Sequence, residues 1–291
     1  MNFDEIVSGV EDLGEYGYEK YITVGRMNIR YAVRGSGPPL LLLHGFCEFL
    51  ETWDFNFRPL SEHYRVYAMD LPGHGLSDKP YLDYSISFFT DFIIGFMQAL
   101  GIDRANIIGH SFGGAISINI ATSFPEKVDR LILESSFGLS SDISLLHKLC
   151  SVPVLADADE RESGVKTALE ERINMEFYSP DFVAREIVGR SYLFMQMPEA
   201  RRVMLNIMHN WVDVNGLRPE AVMVDRLHLI KSPTLFIHGK QDNIHPPALS
   251  QNACWLIPNG RLKVFSECGH CPHIERASEF NEAALMFLET N

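Results

Sequence analysis

The sequence predicts an α/β protein with a mostly parallel sheet of about eight strands, helices on both faces, and a helical insertion. Short apolar runs with strand character alternate with segments of helical periodicity, which is typical of parallel strands joined by helices. This alternation stops near Leu139 and resumes near Ser232. The chain has 291 residues, which is enough for one large core interrupted by an insertion.

Eight short β-rich segments and the helical stretches between them define the predicted sheet and its helical layers. The predicted strands are Tyr21–Val24, Asn28–Val33, Leu40–Leu43, Arg65–Met69, Ala105–Ile108, Arg130–Leu133, Thr234–Ile237 and Arg261–Phe265. The clearest helix has one wide apolar face that packs on the sheet, formed by Phe88, Phe92, Phe96 and Leu100. The final helix has the same pattern at Phe280, Ala284, Phe287 and Leu288.

Residues 140–229 are predicted to be a helical insertion in a core made of residues 1–139 and 230–291. The insertion lacks strand patterns and is rich in Met and aromatic residues. Most of these residues are expected to form a small helical core, while a few line a pocket, because flexible Met side chains adapt to apolar ligands. The predicted substrate-binding residues are His110, Met195, Met197 and Trp211.

The composition excludes several functional classes. With 25 basic and 38 acidic residues the formal net charge is −13, which argues against a nucleic-acid-binding protein because phosphate recognition needs an excess of Lys and Arg. The N-terminal segment is acidic, and no window reaches the ~20 apolar residues of a membrane span. Five cysteines, an odd number, argue against a disulfide framework. We expect a cytoplasmic protein without a membrane span.

The segment Gly109-His110-Ser111-Phe112-Gly113 follows a predicted strand and precedes a predicted helix. A serine at such a tight turn adopts strained backbone geometry and projects its hydroxyl from the sheet, and the flanking glycines let the chains approach. The helix N-terminus adds free N–H groups and a positive dipole end. Gly-x-Ser-x-Gly alone is a weak signal, but the strand and helix around it make Ser111 the candidate nucleophile.

A second segment fits the same site. The apolar run Leu40–Leu43 ends at His44-Gly45-Phe46, where the N–H of Phe46 can pair with that of Phe112 as an oxyanion hole. Two such donors stabilise the negative oxygen of a tetrahedral intermediate. Taken alone, this segment would be interpreted as an ordinary strand-to-loop turn.

Five motifs together resemble the α/β-hydrolase fold superfamily of esterases, epoxide hydrolases and dehalogenases. They are HGF at 44–46, DLPGHGLSD at 70–78, GHSFGG at 109–114, GKQD at 239–242 and GH at 269–270. The order of nucleophile, acid and histidine is that of the family. The resemblance implies that the insertion at residues 140–229 is a cap over the active site.

The acid and the base are predicted from their positions as well as from the resemblance. Asp242 follows a predicted strand at the carboxyl edge of the sheet, where sites of this architecture lie, and it can orient an imidazole. Glu134, after the preceding strand, is the alternative acid. His270 matches the catalytic histidine of the family, and His273 is the alternative base.

The segment that carries these histidines also contains Cys268 and Cys271, and the four residues together could suggest zinc. A tetrahedral zinc site normally joins ligand pairs from two separated segments, and no second Cys or His pair occurs elsewhere. We therefore predict neither a metal nor a cofactor.

The identity of the nucleophile decides the predicted chemistry. Relatives that open epoxides or displace halide use an aspartate at this turn, whereas this chain has Ser111. Water activated by His270 can resolve a serine acyl ester, but it could not release an alkyl ether. The sequence therefore predicts a serine hydrolase that cleaves a carboxylic ester of a small, largely apolar molecule.

Three alternatives remain open at this stage. The enzyme could hydrolyse a carbon–carbon bond of a vinylogous diketone, or a lactone, amide or thioester, or the chain could bind a ligand without turnover. A carbon–carbon hydrolase would need a cation in the cap for the carboxylate of its substrate. The candidates are Arg185, Arg190, Arg201 and Arg202. The oligomeric state is not predicted.

Overall fold

A central sheet of eight strands organises the computed structural model, which describes residues 19–143, 171–180 and 182–290. The strands of the chain are β1 (Glu19–Val24), β2 (Met27–Arg34), β3 (Pro39–Leu43), β4 (Arg65–Met69), β5 (Ala105–His110), β6 (Val128–Glu134), β7 (Val212–Asp213), β8 (Gly216–Leu217), β9 (Thr234–Gly239) and β10 (Gly260–Phe265). The large sheet has the order β1-β2-β4-β3-β5-β6-β9-β10, and each of the eight predicted strands lies in it.

Six neighbouring strands, from β4 to β10 in that order, pair in parallel, while β1 and β2 add an antiparallel edge. The helices that flank or follow these strands are α1 (Asp54–Ser61), α2 (Ile86–Ala99), α3 (Phe112–Ser123), α4 (Phe182–Met195), α5 (Pro198–Trp211), α6 (Pro247–Trp255), α7 (Pro272–Glu275) and α8 (Ala277–Leu288). Single 3₁₀ turns occupy Leu50–Trp53, Pro125–Lys127, Pro219–Ala221 and Val224–Leu229. The predicted fold class is confirmed.

The two faces of the sheet bury separate apolar clusters, because successive side chains of a strand point to opposite faces. In β3, Leu41 and Leu43 pack with residues of α2 and α3, whereas Leu40 and Leu42 pack with residues of α1 and α8. The predicted apolar faces of α2 and α8 are the faces that supply these contacts. The loops at the carboxyl ends of the parallel strands are therefore held on a rigid, two-sided core.

The insertion contains helices α4 and α5, and residues 171–176 are also helical. Residues 144–170 of the predicted insertion lie outside the described residues. One element differs from the prediction: β7 and β8 form a small antiparallel hairpin, where only helices were expected. Its two-residue turn is Val214-Asn215, and Gly216, the first residue of β8, has a φ of 137°, which a side chain would disfavour. The strands are two residues long, too short for an alternating pattern to be visible in the sequence.

Helix α5 packs directly on the core, since its residues Val203, Met204, Ile207 and Trp211 belong to the same apolar cluster as α2 and α3. Of the Met and aromatic residues of the insertion, Phe177, Met204, Met208 and Trp211 are buried, whereas Tyr178 and Met197 are exposed. In the part of the chain that the structure describes, no helix has the length and hydropathy needed to cross a bilayer.

Candidate active site

Ser111 lies at the junction of β5 and α3 and has φ 48° and ψ −110°, a strained conformation for a residue with a side chain. The flanking glycines are required by close backbone approach. A Cβ atom on Gly109 would lie 2.5 Å from the carbonyl oxygen of Gly113, and one on Gly113 would lie 2.2 Å from that of Leu43. The turn is anchored to β6, because the N–H of Ser111 donates to the carbonyl of Glu134 at 2.8 Å.

Asp242 and His270 form a buried pair at the carboxyl edge of the sheet. The Nδ1 atom of His270 lies 2.8 Å from Oδ2 of Asp242, which leaves Nε2 as the ring nitrogen available to a serine hydroxyl. Two backbone N–H groups, from Ile244 and His245, donate to Oδ1 of Asp242 at 2.8 and 2.9 Å. The carboxylate is thereby fixed in the orientation that holds the imidazole.

A second histidine, His238, also contacts this carboxylate, with Nε2 2.9 Å from Oδ2 of Asp242. Burial opposes ionisation of Asp242, but the charge of His270 and the hydrogen bonds from His238 and His270 outweigh it and hold its pKa well below the ordinary value. Asp242 is therefore a permanent anion, suited to stabilise a positive charge that develops on His270.

The two residues that the sequence offered as alternatives, Glu134 and His273, pair with each other. Oε1 of Glu134 accepts from the backbone N–H of His273 at 2.7 Å and lies 2.9 Å from its Nδ1. The His273 ring packs on Trp53 with centroids 4.4 Å apart and on Phe280, in the apolar layer formed by α1 and α8. The structure thus brings His270, and not His273, to Asp242.

Phe46 and Phe112 are also brought together, with ring centroids 6.0 Å apart. Phe112 is the first residue of α3, so its N–H belongs to the first turn, whose donors have no partner within the helix. Phe46 belongs to the 44–48 loop that follows β3, in which Cys47 has a left-handed φ of 58°. Oε2 of Glu48 accepts from the N–H of Gly45 at 2.6 Å and closes this loop.

Comparison with known proteins assigns the family. The family model described as alpha/beta hydrolase fold matches residues 38–152 and 193–277, more than half of the chain. The protein belongs to the α/β-hydrolase fold family.

Relatives of this α/β hydrolase include enzymes that act on ring-cleavage products. The chain is 30% identical over 278 residues to the 2-hydroxy-6-oxo-6-phenylhexa-2,4-dienoate hydrolase of Comamonas testosteroni, and 89% of this chain and 91% of that protein are covered. It is 29% identical over 290 residues, 93% of this chain and 81% of the other, to an uncharacterized protein of Mycobacterium tuberculosis.

Among solved structures, the 2-hydroxy-6-oxo-6-phenylhexa-2,4-dienoate hydrolase from Rhodococcus sp. strain RHA1 superposes with a TM-score of 0.81 at 25% identity. That match covers 94% of this chain and 98% of the other. The meta-cleavage product hydrolase of Pseudomonas fluorescens IP01 superposes with a TM-score of 0.78 at 27% identity and covers 92% of this chain and 97% of the other. The family and these relatives make the protein a hydrolase.

The predicted substrate-binding residues of this hydrolase have different surroundings. Trp211 is buried beside the nucleophile turn, with its ring 4.3 Å from that of Phe112 between centroids and its indole N–H donating to the carbonyl of Tyr84. Met197 lies in the turn before α5 and is 36% exposed. The side chain of Met195 lies outside the described residues. Trp211 is thus the member of the insertion placed next to the nucleophile.

His110, the fourth predicted substrate-binding residue, is fully buried, and protein groups occupy both of its ring nitrogens. Nδ1 lies 3.2 Å from Oε2 of Glu48, and Nε2 lies 3.1 Å from the carbonyl oxygen of His270. The His110 ring is thus engaged inside the protein, and the substrate-binding role predicted for it stays a prediction.

Sequence reasoning missed Glu48. Burial opposes ionisation of its carboxylate, but the charge of His110 and its hydrogen bond to Glu48 outweigh this effect and lower the pKa of Glu48. Atoms of Glu48, His110 and His273 that could ligate a metal lie within 4.8 Å of one another. Because both nitrogens of His110 face acceptors, this ring acts as a double donor, which does not fit a ligand role. The signal in the sequence was one carboxylate among apolar neighbours in the 44–48 loop.

Sequence reasoning also missed Arg172 in the insertion. Its guanidinium contacts Glu176 at 2.6 Å and the hydroxyl of Ser191 at 2.7 Å, and that hydroxyl donates to the carbonyl of Cys47 in the 44–48 loop. Of the predicted arginines, Arg190 pairs with Glu186 at 2.6 Å. The guanidinium of Arg202 lies over the ring of Tyr81. Arg172 is therefore a cation of the insertion that is linked to the 44–48 loop.

Proposed function

We propose that this protein is a serine hydrolase that cleaves a carboxylic ester of a small, largely apolar substrate through an acyl-enzyme. Two observations carry the proposal: the strained turn at Ser111, and a histidine, His270, that Asp242 holds through Nδ1 at 2.8 Å. The His110 ring, one residue before Ser111, lies 5.0 Å from the His270 ring between centroids, which supports the nearness of nucleophile and base.

In the proposed reaction, His270 accepts the proton of the Ser111 hydroxyl while the oxygen attacks the ester carbonyl. The N–H groups of Phe46 and Phe112 donate to the oxyanion of the tetrahedral intermediate. His270 then protonates the leaving alcohol, and the acyl-enzyme remains. Water attacks the same carbonyl while His270 takes its proton. The imidazolium then returns this proton to the Ser111 oxygen as the acid leaves, which regenerates both residues. Asp242 stabilises the imidazolium in both halves of the cycle.

The preference for an apolar substrate is supported by aromatic side chains around the nucleophile turn. The rings of Phe46 and Trp211 lie 6.0 and 4.3 Å from that of Phe112, and Phe137 lies 6.3 Å from Trp211, all between centroids. Pockets of this type bind the apolar part of a small molecule and orient it with a few polar groups. No metal or cofactor takes part in the proposed cycle.

The insertion at residues 140–229 is proposed to be a cap on a core of residues 1–139 and 230–291. The interruption of the family match between residues 152 and 193 supports this division, because it falls inside the insertion. We also propose a cytoplasmic location. Cys254, Cys268 and Cys271 are free thiols, as expected in a reducing compartment.

A second candidate reaction is hydrolysis of a carbon–carbon bond in a ring-cleavage product, and the relatives named above favour it. Such a substrate carries a carboxylate, for which the enzyme needs a cation near the site. Arg172 would be that cation, since Ser191 links it to the 44–48 loop. Its existing pair with Glu176 would have to share the guanidinium with the substrate.

The experiment that tests the proposal combines active-site labelling with turnover. We expect a fluorophosphonate to label the wild-type protein at Ser111, and p-nitrophenyl esters of increasing acyl length to be hydrolysed. Ser111→Ala should be folded and inactive in both assays. A 2-hydroxy-6-oxo-dienoate run in parallel distinguishes the second candidate, which requires faster turnover of this substrate than of any ester. Absence of labelling in folded wild-type protein would overturn the proposal and favour a ligand-binding protein.

A further inference from the structure

Glu48 and His110 form a buried pair that the reaction proposed above does not use directly. Oε2 of Glu48 lies 3.2 Å from Nδ1 of His110 and also accepts the N–H of Gly45 at 2.6 Å. Glu48 is thus bound to the first part of the 44–48 loop, the loop that carries the Phe46 N–H. A Cβ atom on Gly45 would lie 2.9 Å from both Glu48 and His110, so the pair packs directly on the backbone of this loop.

The other ring nitrogen of His110 reaches the loop that carries the base. Nε2 lies 3.1 Å from the carbonyl oxygen of His270, and His110 immediately precedes Ser111 in the chain. One imidazole therefore connects the 44–48 loop, the nucleophile turn and the backbone of His270. Each of these three parts supplies one component of the proposed reaction.

The hydrogen-bond partners also define the charge of this imidazole. A carboxylate and a carbonyl can only accept, so both nitrogens of His110 must donate, and the ring is an imidazolium. Burial opposes this charge, but Glu48 outweighs it and raises the pKa of His110 to about 10. The titratable groups that face His110 are Glu48, Glu134, His44, His270 and His273.

We propose that Glu48 and His110 are positioning residues. They hold the Phe46 N–H of the oxyanion hole in the correct position relative to Ser111 and His270. The 44–48 loop needs such support because Cys47 adopts a left-handed backbone conformation, which is costly for a residue with a side chain. The pair supplies this support, because it joins the 44–48 loop to His110 at the end of β5 and, through His110, to the backbone carbonyl of His270. This role rests on the proposed serine hydrolase chemistry.

The kinetic test uses Glu48→Gln, His110→Asn and the double variant, with a fluorophosphonate and p-nitrophenyl butyrate as probes. Each single variant should lower kcat and the labelling rate by about tenfold to a hundredfold. This loss is at most similar to the rate loss that follows removal of one oxyanion-hole donor. KM should change by no more than about twofold, because the donor acts mainly in the transition state. The double variant should be no worse than the more impaired single variant, since both remove the same connection.

A pH profile separates positioning from a merely structural role. The amide introduced by Glu48→Gln would still accept the Gly45 N–H but could not hold a charge on His110, so this variant should lose kcat as pH rises through the neutral range. The wild-type rate should persist to higher pH. Phe287→Leu serves as the matched control for lost stability, because Phe287 lies in α8 beside Arg130 and Arg261, at the amino-terminal ends of β6 and β10, away from the 44–48 loop. This variant should keep the wild-type labelling rate. Glu48→Asp retains the charge and should recover part of the lost rate.

Amide hydrogen exchange of the 44–48 segment provides a readout that does not depend on turnover. Exchange at these amides should rise in Glu48→Gln and His110→Asn and stay unchanged in Phe287→Leu. Wild-type exchange together with wild-type labelling in both folded variants would overturn the positioning role. If wild-type protein resists the fluorophosphonate while exchange still rises in the variants, the role of the pair in holding the loop stands and the proposed ester chemistry fails.

Discussion

Two carboxylate–histidine pairs lie close to each other at the carboxyl edge of the sheet. They consist of the same functional groups, but they differ in their hydrogen-bond partners and in their surroundings. Asp242 holds His270 at 2.8 Å, and Glu134 holds His273 at 2.9 Å. Asp242 receives donors from four groups, among them His238 and two backbone N–H groups. Glu134 receives donors at Oε1 only, from His273 itself.

The Glu134–His273 pair differs from the first pair in the two polar atoms that lie outside its own hydrogen bond. Among the described residues, neither Oε2 of Glu134 nor Nε2 of His273 has a hydrogen-bond partner, and both are buried. The ring of His273 packs on Trp53 in the apolar layer between α1 and α8, where no substrate is expected. A carboxylate next to a histidine therefore does not by itself make a general base. The direction of the second ring nitrogen, toward a nucleophile or into the core, decides its use.

The largest expected difference between the pairs is kinetic. Asp242→Asn should lower kcat by about 10⁴, because an amide neither stabilises the imidazolium nor selects its tautomer. Glu134→Gln should lower kcat by less than about tenfold, since its partner does not touch the substrate. Steady-state hydrolysis of a p-nitrophenyl ester by both purified variants measures this. An equal loss in the two would mean that the pairs have been assigned the wrong way round.

Stability should show the opposite order. His273→Ala removes a side-chain donor from Glu134 and opens a cavity beside Trp53, which should lower the free energy of unfolding by about 3 kcal/mol. His270→Ala should cost about 1 kcal/mol, because Asp242 keeps His238 and two backbone donors. Urea unfolding followed by tryptophan fluorescence compares the two variants. A larger loss in His270→Ala would contradict the distinction drawn between the pairs.

The charge of Asp242 should also appear in the pH dependence of stability. Its pKa in the folded protein is lowered from 3.8, so its contribution to stability is complete above about pH 4 and is lost as pH falls further. The contribution of His110 to stability has the opposite pH dependence. Because its pKa is raised from 6.5 to about 10, this contribution is lost as pH rises between these values. Unfolding free energies of wild type, Asp242→Asn and His110→Asn measured from acid to alkaline pH test both. Asp242→Asn should flatten the acid limb and leave the alkaline limb unchanged. His110→Asn should flatten the alkaline limb and also part of the acid limb, because it removes the charge that lowers the pKa of Glu48.

The smallest effect concerns the second histidine on Asp242. Ser250 contacts Nδ1 of His238 at 2.7 Å and helps to orient that ring toward the carboxylate. Ser250→Ala should lower kcat about fivefold, which corresponds to one ordinary hydrogen bond. Thr234→Val is a comparable hydroxyl deletion at the other end of β9, the strand that carries His238, and it should leave kcat unchanged. A wild-type rate in Ser250→Ala would show that Asp242 needs no help from His238.

The sequence was sufficient for features that depend on local pattern. The eight strands followed from their apolar runs, and the turn at Ser111 followed from two glycines whose Cβ atoms the backbone would exclude. It was insufficient where distant segments meet. Glu134 and His273 are separated by 139 positions, so their pairing with each other is visible only in the fold. The same holds for Glu48 and His110, and for Arg172, whose link to Cys47 runs through Ser191.

Within residues 171–180 and 182–229 of the insertion, two hydrogen bonds reach the loops proposed to carry the oxyanion hole and the base. The N–H of His270 donates to the carbonyl of Glu176 at 2.6 Å, and the hydroxyl of Ser191 donates to the carbonyl of Cys47. If the insertion covers the site as proposed, a substrate too large to fit would have to displace it, and this displacement would pull on His270 and on the 44–48 loop at once. Oversized substrates would then bind but react slowly. The enzyme would therefore discriminate against long substrates by a lower kcat rather than by weaker binding.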